Sequence, residues 1–199
     1  MEKRSINFEL RAKKDSRTIF GTATVFNSSY DMGWYDEEMS ADSLNEADMK
    51  DVVALFNHDM NMVLARTSSG TLKLNVTGDA MEYEFEAPNT TLGNDLLEMV
   101  KRGDVFQSSF AFTVETEDWQ ERQGMKPKRV IRSIKKVYDV SPVTYPANPD
   151  TMVAKRSYDA TKQIDEDLQT IIDISVKSEI NIQNELRRNA LHLLNLKTK

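Results

Sequence analysis

The stretch Leu72-Lys73-Leu74-Asn75-Val76-Thr77-Gly78-Asp79-Ala80-Met81-Glu82-Tyr83-Glu84-Phe85-Glu86 alternates apolar and polar side chains on both sides of a Thr-Gly-Asp turn. A period of two sends successive side chains to opposite faces, so these residues predict half-buried antiparallel strands joined by a hairpin. Just upstream, Ser68-Ser69-Gly70 supplies another turn, and residues 62–87 read as an antiparallel meander. Ile6, Phe8 and Leu10 alternate in the same way, and further strands are expected at about 105–115 and 128–144. One helix interrupts this pattern. Leu92, Leu96, Leu97 and Val100 share a helical face, Asn89 to Thr91 offer N-caps, and Lys101-Arg102-Gly103 closes the last turn.

Beyond Pro146 and Pro149 the composition changes, because residues 157–199 contain neither Pro nor Gly. Leu168, Ile172, Val176 and Ile180 recur every fourth residue, and Leu186, Ala190, Leu193 and Leu194 continue the stripe after a register break near Ile182. One long helix or two are expected there, packing on their own domain, on a sister helix or on a partner. The division is therefore a β-rich domain over residues 1–156 and a helical tail over 157–199.

The 199 residues include 26 Lys or Arg, 32 Asp or Glu, two His and no Cys. Without cysteine there are no disulfides, thiolate nucleophiles or zinc-thiolate sites, and with only His58 and His192 there is no multi-histidine metal site. No metal and no cofactor are expected. A net charge of −6 gives no overall attraction to phosphate, so nucleic acid is not an expected direct partner. No hydrophobic run follows Met1-Glu2-Lys3-Arg4-Ser5-Ile6, so neither a signal peptide nor a membrane partner is expected, and the protein should stay in the cell where it is made.

Three residues could carry chemistry. In Phe106-Gln107-Ser108-Ser109-Phe110-Ala111-Phe112-Thr113-Val114, the even-numbered side chains share a face that must be the core. Gln107, Ser109, Ala111 and Thr113 share the other, a small polar floor over which a substrate could lie; an ordinary solvated strand face has the same pattern. Ser109, not Ser108, is thus the serine placed to act outward. A serine hydroxyl needs a base, and His58, at the end of Ala54-Leu55-Phe56-Asn57-His58-Asp59, is the one histidine in the β-rich region. The base needs a carboxylate to orient it. Asp139, inside the apolar strand Val137-Tyr138-Asp139-Val140, is the preferred candidate, because a charge there requires a partner. Asp59 is its rival, and Asp139 could instead pair with a backbone amide, Arg129 or Arg132.

These blocks, with Gly21-Thr22-Ala23-Thr24-Val25-Phe26-Asn27, Val63-Leu64-Ala65-Arg66-Thr67, Gly70-Thr71-Leu72-Lys73-Leu74, Arg102-Gly103-Asp104-Val105 and Asp139-Val140-Ser141-Pro142-Val143-Thr144-Tyr145-Pro146-Ala147, resemble the tailed-phage prohead maturation proteases in residue type and in order. The resemblance covers most of residues 18–156. It implies a fold similar to the herpesvirus assemblins, α+β with a small closed antiparallel β-barrel and surrounding helices. It also implies a serine endopeptidase that cleaves the scaffolding segment of the major capsid protein, and itself, inside the assembling procapsid in the host cytoplasm. Carried over by motif, the catalytic residues are His58, Ser109 and Asp139. The oxyanion donors are sought among backbone amides of Val143 to Asn148. Family members suggest self-association, through the helices around the barrel or the tail. Ala65 and Ala111 stand where the family has glycine, Tyr145 where it has phenylalanine, and Asp139 where it has glutamate, one methylene longer.

Two other readings remain open on the residues alone. One is a catalytically inactive, protease-like assembly factor that holds capsid or scaffold subunits through residues 162–196. The other is an unrelated β-barrel binding module with a solvated serine face. The joint presence of His58, Ser109 and Asp139 speaks against the first, and the order of the blocks against the second.

Overall fold

The computed structural model describes residues 1–6, 10–145 and 151–197. The chain divides into two compact units, Met1–Thr151 and Met152–Lys199. In the first, nine strands precede a helix: β1 (Glu2–Ile6), β2 (Leu10–Ala12), β3 (Thr18–Val25), β4 (Ser29–Asp31), β5 (Asp36–Met39), β6 (Val53–Leu55), β7 (Val63–Arg66), β8 (Leu72–Val76) and β9 (Ala80–Glu86). The helix α1 (Thr91–Arg102) and the long strands β10 (Gln107–Gln120) and β11 (Lys128–Val143) follow.

The alternating stretch does form a hairpin, β8 against β9, with Leu74 opposite Tyr83 and Leu72 opposite Phe85. It belongs to a four-stranded sheet in the order β2-β3-β9-β8. The meander does not extend back to residue 62, because β7 pairs with β6 in the other sheet and the chain crosses over at the Ser68–Gly70 turn. That larger sheet has seven strands, in the order β1-β10-β11-β5-β4, with β6 on β11 and β7 on β6. The strand expected from Ile6 to Leu10 has its middle outside the described residues, and its two ends lie in different sheets.

A closed antiparallel barrel is not seen among the described residues. The class is α+β and mostly sheet, but β5 and β6 both run parallel to β11, and among the described residues the two sheets do not close on one another. Parallel pairs join segments distant in sequence, and no local alternation announces them. One core lies under both sheets. Ile19, Met81, Tyr83 and Phe85 meet Phe110, Phe112, Ile131, Ile134, Val137 and Val140 in a single cluster, which Leu96, Leu97 and Val100 of α1 join. Each such apolar side chain contributes roughly 1.5–3 kcal/mol when fully buried.

The helix α1 forms with the expected signals. Thr90 is the N-cap, its side chain accepting from the Gly93 amide, and Gly103 takes the left-handed C-cap conformation at φ 81°. The second unit holds one continuous helix, α2 (Thr151–Lys197), which the register break near Ile182 does not interrupt. Ile164, Leu168, Ile171, Ile172, Ile174 and Val176 on it are all exposed. Among the described residues no helix is long and apolar enough to cross a membrane.

Candidate active site

Ser109 and Asp139 are brought together by strand register. In the β10–β11 pair, Ser109 faces Ser141, and Asp139 lies two residues before Ser141, so all three side chains point to the same face of the large sheet. His58 arrives by a different route. β6 runs parallel beside Asp139 and Val140, with Val53 and Ala54 as their register partners. The chain then turns sharply over the sheet, and Asn57 and His58 both adopt left-handed backbone, at φ 54° and 58°. Two consecutive non-glycine residues there are uncommon and strained.

The turn is held by Asn57. Its amide N–H donates to the Pro142 carbonyl at 3.0 Å, its side-chain oxygen accepts from the Thr144 amide at 2.8 Å, and its side-chain NH₂ donates to the Thr144 hydroxyl at 3.2 Å. His58 thus stands over the strand pair. Nδ1 lies 2.6 Å from Asp139 Oδ1, and Nε2 lies 2.7 Å from Ser109 Oγ. An ionised carboxylate only accepts, so Nδ1 carries a hydrogen and the ring is held in one orientation. Asp139 Oδ1 also accepts from the Ser141 hydroxyl at 2.7 Å, which fixes the carboxylate in turn. The site is closed to solvent. The side chains of His58 and Asp139 are 5% and 7% exposed, and Ser109 is fully buried. Two surface cavities, of about 490 and 760 Å³, lie over the small sheet, and none of the three residues lines either.

A hydroxyl bonded to an imidazole, itself oriented by a buried carboxylate, is the geometry required to activate a serine nucleophile. The caudovirus prohead serine protease family model matches residues 6–164. The chain belongs to this family. It is therefore a serine protease of capsid maturation in class, and capsid proteins are the partners that the family implies. No curated protein and no solved structure matches the chain.

In this prohead protease the aspartate side chain is long enough to reach the histidine, with Asp139 Oδ1 2.6 Å from His58 Nδ1. The rival Asp59 is occupied elsewhere, accepting from the Asn61 amide and side chain at 2.9 and 3.0 Å. Arg129 pairs with Glu2, Glu37 and Glu117, and Arg132 with Asp118, so neither is the partner of Asp139. Ser108 points into the core and donates to the Tyr83 hydroxyl at 2.9 Å; burial there pushes the Tyr83 hydroxyl above its ordinary value.

The outward face of β10 is not the solvated floor that alternation predicts. Gln107 through Phe112 are all buried, while Phe106, expected in the core, lies before the strand and is 54% exposed. β1 covers the free edge of β10, and the register shifts after Ala111 and Thr113 bend the strand. Of the residues expected to supply oxyanion donors, Thr144 has its amide engaged by Asn57, and 146–148 lie outside the described residues. Sequence reasoning missed Asn57, Ser141 and Arg4. Asn57 carried a signal, since asparagine tolerates left-handed backbone better than other non-glycine residues.

Proposed function

We propose that the protease is catalytically active and uses Ser109 as nucleophile, His58 as general base and acid, and Asp139 to orient His58. Ser109 Oγ attacks the scissile carbonyl carbon while His58 Nε2 takes the hydroxyl proton, giving a tetrahedral oxyanion. Collapse breaks the C–N bond, His58 returns the proton to the leaving amine, and water then releases the acyl group by the same route. The unbroken Ser109–His58–Asp139 hydrogen-bond chain carries this reading. The proposed substrate is the scaffolding segment of the major capsid protein inside the procapsid in the host cytoplasm, with the protease's own chain as a second substrate.

The test is co-expression with the cognate major capsid protein, as wild type and as Ser109→Ala, followed by intact mass of the capsid protein. Loss of its N-terminal segment only with the wild type is the expected result and locates the cleavage site. Full cleavage by Ser109→Ala would overturn the assignment. An intact capsid protein that co-purifies with both forms would instead point to an assembly factor.

A further inference from the structure

Ser109 is covered by its own chain. β1 lies antiparallel on the free edge of β10, with Ser5 opposite Ser109 and Arg4 opposite Phe110, and the Arg4 carbonyl oxygen is 2.9 Å from Ser109 Oγ. A carbonyl can only accept, so the Arg4 oxygen competes with His58 Nε2, 2.7 Å away, for the single proton of the serine hydroxyl. The contact is also with a carbonyl oxygen, whereas attack requires access to a carbonyl carbon. With Ser109 fully buried, no incoming peptide reaches Oγ in this arrangement.

β1 has the form of a bound peptide: five extended residues, paired through the backbone with the strand that carries the nucleophile. Its side chains seat it. Arg4 pairs with Glu37 on β5, donating to Oε2 at 2.8 Å, and with Glu2 at 2.5 Å. Glu2 accepts from Arg129 on β11 at 2.7 and 2.9 Å, and Arg129 also bonds Glu37 and Glu117. Burial alone would pull the Arg4 and Arg129 guanidinium groups down, but the surrounding carboxylates hold both above their ordinary values. At the same time β1 is an edge strand whose only backbone partner among the described residues is β10, so its departure disrupts no other strand pairing.

We propose that β1 is a displaceable plug on the substrate site, and that an extended segment of the capsid precursor docks on the same edge of β10 by strand addition once β1 has left. This rests on the protease reading above. The open form is then the reactive one, and agents directed at Ser109 report its population.

The chain contains no cysteine, so a single engineered pair tests the plug reversibly. Lys3 and Ala111 are facing register partners, and facing Cα atoms of antiparallel strands fall within the span of a disulfide. In Lys3→Cys/Ala111→Cys, oxidation ties β1 to β10 and reduction frees it. Two rates are read by intact mass: labelling of Ser109 by a fluorophosphonate probe, and cleavage of the capsid precursor. The expected result is that the oxidised form is slower than the same protein reduced by about tenfold or more in both, as the open population falls. Equal rates in the two forms would overturn the plug. Slow labelling with undiminished precursor cleavage in the oxidised form would overturn the docking edge. Absence of labelling in the reduced form and the wild type alike would overturn the protease reading itself, and the plug with it.

Discussion

Ser141→Ala removes one fully buried hydroxyl that donates to Asp139 Oδ1, at 2.7 Å, and has no hydrogen bond to His58 or Ser109. A hydrogen bond to a charged group is worth about 1.5–3 kcal/mol net. If that energy holds the carboxylate where His58 Nδ1 needs it, its loss in the transition state lowers kcat by roughly 10- to 150-fold, at about 1.4 kcal/mol per decade. KM should stay nearly constant, because no substrate contact is removed. The same lost bond lowers Tm by roughly 3–12 °C for a chain of this size. The assay is the initial rate of capsid-precursor cleavage over a range of precursor concentrations, for wild type, Ser141→Ala, Asp139→Asn and the double variant. A residue that acts through Asp139 has little left to lose once Asp139 is asparagine, so Ser141→Ala should then cost about threefold or less. Equal fold-losses in the two backgrounds would refute the reasoning. So would an unchanged kcat in a Ser141→Ala protein whose Tm has fallen.

Ser108→Ala should leave precursor cleavage intact while destabilising the fold by about 1–3 kcal/mol, since it strands the buried Tyr83 hydroxyl; loss of cleavage at normal stability would show that Ser108 is the acting serine. Asn57→Gly keeps the left-handed turn and loses the Thr144 bonds, whereas Asn57→Ala loses them and adds about 1–2 kcal/mol of backbone strain, so Tm should rank wild type, Gly, Ala. An alanine variant at least as stable as the glycine variant would contradict this. For acid dependence, burial would raise the Glu2 carboxyl, but pairing with Arg129 and Arg4 holds it below its ordinary 4.5. Such a group stabilises the folded state fully above that ordinary value, and the contribution is lost as pH falls through the lowered folded one. Arg4 on its own strand, Arg129 on β11, Glu37 on β5, Glu117 on β10 and Tyr35 are the ionisable groups around it. Amide exchange of residues 2–6, corrected for intrinsic rates, should accelerate below pH 4.5 in wild type and less so in Glu2→Gln; identical acid dependence would refute the linkage.

Much of this architecture is written in local pattern. The β8–β9 hairpin, the capped helix α1 and the inward face of Ser108 follow from periods and caps within a few residues of themselves. Asp139 was legible because a carboxylate in an apolar strand requires a partner. The long-range pairings were not. Nothing near Asp36–Met39 or Val53–Leu55 announces parallel pairing to β11, and nothing near Ser109 announces that a strand about a hundred residues away will cover it. Alternation says that a face differs from its opposite, and a small polar face reads as solvated until a second strand buries it. Glu2 and Arg4 illustrate the same limit, because charges at the start of a chain look like surface until Glu37 and Arg129 close around them.

The buried charges raise a question of purpose, since an ion cluster taken out of water returns in pairing little more than it costs in desolvation, and apolar residues of similar volume often serve as well. What such a cluster supplies is register. A slip of one residue would turn Glu2 and Arg4 to the opposite face of the sheet. A slip of two would carry Arg4 about 7 Å along the strand, out of reach of Glu37. Apolar side chains would tolerate either shift more readily than these five do. With the register fixed, the Arg4 carbonyl falls 2.9 Å from Ser109 Oγ. Accuracy of seating and strength of attachment are thus separable in β1: the charges fix its position, while a single backbone neighbour leaves it free to be exchanged for another strand.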